Sequence, residues 1–293
     1  ASWGLLSPVG KHLLDMGAYH PLGLNFVRFA LATLPILLFL GPANVRASVR
    51  LAARPAILGP NVLANLSLTL FLYSLTMLAE PTQATLGFYT APLFTAALAS
   101  VALKERVGPW FAPAVVLLLA GGYLTLFGLA TPGDGFAFSG MALALGSAVV
   151  WAWYTVDLRR HAPSIPLKPL MGASFLFGTL YYYALAVALE GWPRLIGRET
   201  ATYGWLAVQV AFPTLAAFIL FNAALQRAPA SQVNILIAAE LAFTVVFSAL
   251  LFGETYTAWQ LAGLGITVAA VSGYLWVQGR GRGPRAAVSV AHP

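Results

Sequence analysis

Long apolar runs broken by short polar punctuation dominate the chain. A helix that crosses a bilayer needs roughly 20 mostly apolar residues. The punctuation predicts ten such spans, over 2–18, 21–40, 55–77, 81–103, 109–128, 138–158, 167–190, 203–226, 229–251 and 257–278. Pro21, Pro55, Pro81, Pro109 and Pro229 stand at or beside span starts, where a missing N–H costs little. The longest polar connections, near Gly41–Arg54, His161–Lys168 and Gly191–Thr202, leave no room for a soluble domain. The chain opens at Ala1 inside an apolar segment without a basic n-region, which reads as a start within the first span rather than a signal peptide.

The two halves repeat. With an offset of about 148, Trp3 falls on Trp151, Lys11 on Arg159, and the run Ala79–Gln83 on Arg227–Ser231, so that Pro81 meets Pro229. Lys104-Glu105 falls one residue off Gly253-Glu254, and Gly122-Tyr123 falls near Gly273-Tyr274. The predicted units are 1–130 and 131–293, the second ending in a short basic tail. Five spans per copy is an odd number, so the second copy threads the membrane in the opposite sense. The expected fold is therefore an all-α integral membrane protein of ten transmembrane helices in two inverted five-helix repeats. In such architectures the substrate site lies at the repeat interface near the midplane.

Lipid offers no partner to polar side chains, so their spacing marks the faces turned inward. Trp3, Ser7, Lys11 and Asp15 recur every four residues in the first span, and Asn61, Asn65, Thr69 and Tyr73 in the third. Thr82, Thr85 and Tyr89 form a stripe in the fourth that runs into Pro92, and Ser147, Trp151 and Tyr154 share a face of the sixth. The ninth offers Asn234, Glu240, Thr244 and Ser248. Together these stripes predict a central cavity lined by aromatic and neutral hydrogen-bonding groups. For any one residue the alternative is helix–helix glue, worth about 1 kcal/mol or less per contact.

Composition sharpens the picture. Of 293 residues, 59% are hydrophobic and only 9% charged, against about 25% charged in soluble domains. The bilayer is the solvent for most of this surface. A net charge of +7 invites a nucleic-acid reading, but the placement of the basic residues answers it. With the N-terminus inside, twelve Lys and Arg fall in inside connections, against Arg194 and Arg198 outside. Lys11 and Arg28 lie within spans. This asymmetry follows the positive-inside rule, puts both termini in the cytoplasm, and leaves no role for nucleic acid. The partners expected are a small-molecule substrate and the lipid bilayer, with the chain acting as a monomer.

Glu240 is the sharpest single signal. It falls about halfway along its span, where a carboxylate costs several kcal/mol unless paired, protonated or hydrated. A clamp with Arg28 or Lys11, a ligand for a substrate amine, and a proton site are its three readings. Lys11 and His12 are placed to meet a substrate carboxylate near the outer half of the path. Pro92 and Pro213 fall mid-span, where proline kinks a helix and frees a carbonyl, giving either gate hinges or static bends. Gly121-Gly122, Gly263-Leu264-Gly265 and Gly273 read as close packing of the fifth and tenth spans.

Catalytic constellations are missing. There is no cysteine, and His12, His20, His161 and His292 show no metal-ligand pairing on one helix face. No HExxH, P-loop or GxSxG is present. Neither a metal, a cofactor nor a catalytic residue is expected, and the chain cannot by itself power transport with ATP.

The runs Ser2–Lys11 and Phe26–Leu38, with Arg28, and the turn Leu103–Val107 echoed by Phe252–Thr257 resemble the EamA type of the drug/metabolite transporter superfamily. The resemblance implies a cavity formed mainly by spans 1, 3, 4, 6, 8 and 9, with spans 5 and 10 behind it. It also implies export of small metabolites across a bacterial inner membrane. Within the superfamily the chain is similar to YddG-like amino-acid exporters, whose substrates include aromatic amino acids. The resulting expectation is a secondary transporter exporting amino acids or similar metabolites by alternating access, by uniport or proton coupling. Proton-coupled export of multiple drugs or cations is the alternative. A membrane enzyme would need acidic or histidine ligands clustered at one membrane face, and a channel would need rings of repeated charge.

Overall fold

The computed structural model describes residues 2–17, 19–78, 81–105, 108–128, 137–191 and 200–281, with Pro81, Thr82, Leu126 and 278–281 described by backbone alone. Among the described residues every regular element is helical. The expected 130/131 boundary, the basic residues Arg106, Arg194, Arg198, Arg282 and Arg285, and residues 79–80 of the repeated motif lie outside the described residues.

Among the described residues eight helical segments are long and apolar enough to cross a bilayer, and Phe111–Thr125 is a shorter apolar helix. The first span is shorter than its apolar pattern. A 3₁₀ turn, Ser2–Leu5, leads into α1 (Leu6–Asp15), and Gly17 at φ 65 lies beyond its end. These 14 residues reach about 21 Å at 1.5 Å per residue. The second span, α2 (Pro21–Ala52), overruns its prediction. Gly41 turns at φ 74 just before Pro42, and the chain winds on to carry Arg46 and Arg50. Leu38 and Phe39, at 82% and 87% exposure, face the lipid ahead of this bend.

The third span is α3 (Pro55–Met77) and the sixth is α7 (Phe138–His161). The fourth is two helices, α4 (Pro81–Phe88) and α5 (Ala91–Ala102), parted at Tyr89-Thr90. The fifth is α6 (Phe111–Phe127). The seventh, α8 (Leu167–Leu185), loosens into a π-helical turn over Ala186–Glu190. The eighth runs from α9 (Thr200–Gln209) through a π-helical stretch, Val210–Ala216, into α10 (Ala217–Leu225). The ninth is again two helices, α11 (Ala230–Ile237) and α12 (Glu240–Phe252), and the tenth is α13 (Ala258–Gly281).

The packing obeys the two-fold relation that the offset implies. Spans 2 and 7 pack on each other through α2 and α8, and spans 5 and 10 through α6 and α13. The contact of α3 with α7 is mirrored by that of α1 with α9, and the contact of α5 with α7 by that of α12 with the Ser2–Leu5 turn. The broken spans match as well, since Thr90 shifted by 148 falls on Ala238 and Pro92 falls on Glu240.

Small and hydroxylated residues set the closest approaches. Ser67 and Ser147 exchange hydroxyl-to-carbonyl hydrogen bonds of 2.9 and 2.8 Å between α3 and α7. Thr33 and Thr179 meet at 2.9 Å between α2 and α8. A Cβ on Gly121 would lie 2.6 Å from Thr267 Oγ1, and one on Gly263 only 2.5 Å from the Gly121 carbonyl. Gly122 lies against Leu86, but Gly265 and Gly273 have open space around them. Those two are not packing glycines, because they lie on the face of α13 turned away from α6.

Candidate functional site

A narrow, partly open space of about 20 Å³ lies where the repeats meet, lined by Trp3, Leu6, Leu68, Phe71, Phe88, Trp151 and Glu240. Trp3 and Trp151, related by the repeat offset, meet edge to face with ring centroids 5.4 Å apart. Phe88, Tyr154 and Phe221 pack within 5.0–5.6 Å of the Trp151 ring. Trp151 Nε1 donates to Asn234 Oδ1 at 3.1 Å, and Asn234 Nδ2 donates to Thr95 Oγ1 at 2.9 Å. These bonds fix the indole, so a broad π face is presented in one orientation.

Glu240 opens α12 immediately after the Ala238-Ala239 break, with 6% of its surface exposed. A helix N-terminus favours an anion, which is how this position holds a carboxyl group in hydrocarbon. Neither expected cation reaches it. Lys11 pairs with Asp15 at 3.2 Å, and Arg28, fully buried, donates through Nε to Thr214 Oγ1 at 2.9 Å and through Nη1 to Asn25 Oδ1 at 3.0 Å. The clamp reading of Glu240 therefore has no partner among the described residues. Arg28 instead secures the Pro213 break. Thr214 Oγ1 donates to the Gln209 carbonyl at 2.8 Å within the π-helical stretch and accepts from Arg28.

Two further spaces adjoin the first. An open groove of about 280 Å³ shares Trp3 and Glu240 and is walled by Phe221, Val233 and Ile237, among others. A small pocket of about 10 Å³ shares Leu68 and is lined by Phe29, Asn61, Asn65, Tyr154, Phe175 and Phe218. Asn61 Nδ2 and Asn65 Oδ1 are buried there without a protein partner.

The structure thus brings Trp3, Trp151, Tyr154, Asn61, Asn65 and Glu240 to one region, with Asn234 bonded just behind the indole. Ser7 and Thr85 bond to each other at 2.7 Å between α1 and α4. Tyr89 is buried beside Leu118 and Leu241, outside the three spaces. Tyr73 donates to Glu190 at 3.0 Å, and the same carboxylate accepts from the Leu22 and Gly23 amides. Lys11 is at the half-exposed end of α1. Pro92 follows the Tyr89-Thr90 break and Pro213 sits inside the π-helical stretch. Phe71, Phe88, Leu6 and Leu68 were invisible as site residues, because an apolar side chain on an apolar helix carries no positional signal.

The EamA-like transporter family matches residues 1–127 and 138–276. The chain belongs to that family. The family is one of transporters, and the apolar helices make the chain a multi-pass membrane protein. Among curated relatives, a probable amino-acid metabolite efflux pump of Salmonella typhimurium (strain LT2) is 26% identical over 92% of this chain and 89% of its own length. Human solute carrier family 35 member G1 is 27% identical over 79% of this chain, a match that spans 63% of the human protein. A solved crystal structure superposes with a TM-score of 0.72 over 96% of this chain and 97% of its own, at 18% identity, which carries the fold alone.

Proposed function

We propose that this EamA-family transporter exports amino acids, aromatic ones among them, or related small amphipathic metabolites, by alternating access. The supporting observation is the pairing of Glu240 with the Trp3, Phe71, Phe88 and Trp151 rings in one space between the repeats. A buried carboxyl group that neither Lys11 nor Arg28 pairs with suits an ammonium group, and aromatic faces suit both a cation and a ring. Asn61 Nδ2 and Asn65 Oδ1, which no protein group satisfies, supply a neutral donor and acceptor for the polar remainder. The bacterial relative named as an efflux pump supports the direction. The concentration of Arg and Lys in alternate connections supports a bacterial inner-membrane setting with both termini cytoplasmic, and the cavity is complete within one chain, so a monomer suffices.

The two units, 1–130 and 131–293, each contribute one wall, with Pro92 and Pro213 at the breaks about which they rock. Export of cationic compounds is the second reading, favoured by the same carboxylate. The test is uptake of labelled tryptophan, phenylalanine, alanine and a quaternary ammonium dye into proteoliposomes, with and without an imposed pH gradient. Saturable amino-acid flux competed by aromatic amino acids is expected. Flux of the dye alone would transfer the assignment to the second reading.

A further inference from the structure

The C-terminal ends of α5 and α12 are built alike. Leu103 N donates to the Ala99 carbonyl at 3.0 Å and Glu105 N to the same carbonyl at 3.2 Å. In the other repeat Gly253 N donates to Ala249 O at 3.1 Å and Glu254 N to Ser248 O at 3.4 Å. Each end turns through one residue of positive φ, Lys104 at 54° and Gly253 at 71°. In these left-handed caps the glutamate N–H returns to the carbonyl six positions back, and each delivers a glutamate just past the helix, one residue off the repeat offset.

The partners differ. Glu105 reaches across the repeat interface to the start of α11, accepting from Ala230 N at 2.9 Å, Ser231 N at 3.3 Å and Ser231 Oγ at 2.9 Å. Symmetry assigns Glu254 the corresponding residues Thr82 and Gln83 at the start of α4, on the opposite face of the membrane. Instead its Oε2 accepts from Tyr256 Oη, two residues along its own loop, at 2.5 Å. Among the described residues Glu254 makes no hydrogen bond to α4. One end of the pseudo-symmetric pair is therefore engaged and the other is not.

We propose that Glu105 and Glu254 are reciprocal latches of the transport cycle. Each closes one membrane face by capping the outer half of the broken span in the other repeat, and the molecule holds one latch at a time. A carboxylate accepting several N–H and O–H bonds at a helix start is a charge-assisted contact. It also rejoins quickly, since breaking it leaves both parts facing water at the membrane surface. The device rests on the alternating-access reading. In the present structure the Glu105 face, which carries Arg50, Arg54 and Arg159, is latched, and the Glu254 face is released.

Spin-label distances test this directly, because the chain has no cysteine. Pairs at Ala102→Cys with Arg227→Cys, and at Met77→Cys with Thr255→Cys, report the two faces without substrate and leave both latch sites intact. Glu105→Gln is expected to lengthen the first distance and shorten the second, shifting the population ratio roughly fivefold, the usual effect of losing a helix cap. Ser231→Ala keeps both backbone bonds and should shift both distances the same way by less, so the test survives a poorly folding Glu105→Gln. Glu254→Gln should leave both distances as they are and slow transport. A first distance that lengthens while the second stays fixed, or a Glu254→Gln shift like that of Glu105→Gln, would overturn the latch. Intact transport beside such a result would leave the exporter reading standing. A reciprocal shift in protein that moves no amino acid would remove the exporter reading and keep the latch.

Discussion

Glu240 and Arg28 are both ionisable and both buried, yet they do different work. Arg28 donates to Thr214 and Asn25 and so holds a helix break, whereas Glu240 opens onto a space shared by four aromatic rings. Glu240→Gln should therefore cut transport of ammonium-bearing substrates at least tenfold, about 1.4 kcal/mol of lost recognition, while melting within a degree or two of the parent. Unchanged flux in that variant would remove the carboxylate from the site. Arg28→Lys should do the reverse, because lysine cannot reproduce a fork that bonds Thr214 and Asn25 together. A loss of about 1–3 kcal/mol of stability is expected, read as a lower melting temperature in detergent, with substrate KM little changed. Which charge would be which was not legible in the sequence. Both residues stood in apolar spans, and only the positions of Thr214 and Asn25 in space show what Arg28 holds.

At the scale of the elements, proline and glycine did most of the visible signalling. Pro92 marked the fourth-span break and Pro213 the eighth-span π-helical stretch. The matching break at Ala238-Ala239 has no proline, and the repeat offset from Pro92 is the one sequence clue to it. The glycines of the fifth and tenth spans divide by face in a way no alignment of periodicity displays. Gly263→Leu should force α6 and α13 apart, since even a Cβ would meet backbone 2.5 Å away, at a cost of several kcal/mol and much of the folded yield. Gly273→Ala, with nothing within 4 Å, should be neutral or stabilising by up to about 1 kcal/mol. Paired melting curves check the contrast, and equal losses at both positions would contradict the packing described here.

For the whole molecule, inversion was readable because five spans per copy is odd and because Trp3 and Trp151, and Pro81 and Pro229, share one offset. What that offset could not convey is where the copies touch. The stripe residues Ser7 and Thr85 turned toward each other, Tyr73 turned to Glu190, and Lys11 to Asp15. Hydrogen-bonding residues mark the inward side of a helix but do not tell a neighbour from a void. Substrate is expected to cross between the repeats, past Leu68, which borders both the Glu240 space and the Asn61–Asn65 pocket. A single cysteine at that position in this cysteine-free chain gives the most direct measurement. In proteoliposomes, a thiol reagent should block transport through Leu68→Cys, substrate should slow the labelling, and Leu38→Cys on the lipid face should react without effect on flux. Full transport after complete modification of Leu68→Cys, with no protection by substrate, would contradict a path between the repeats.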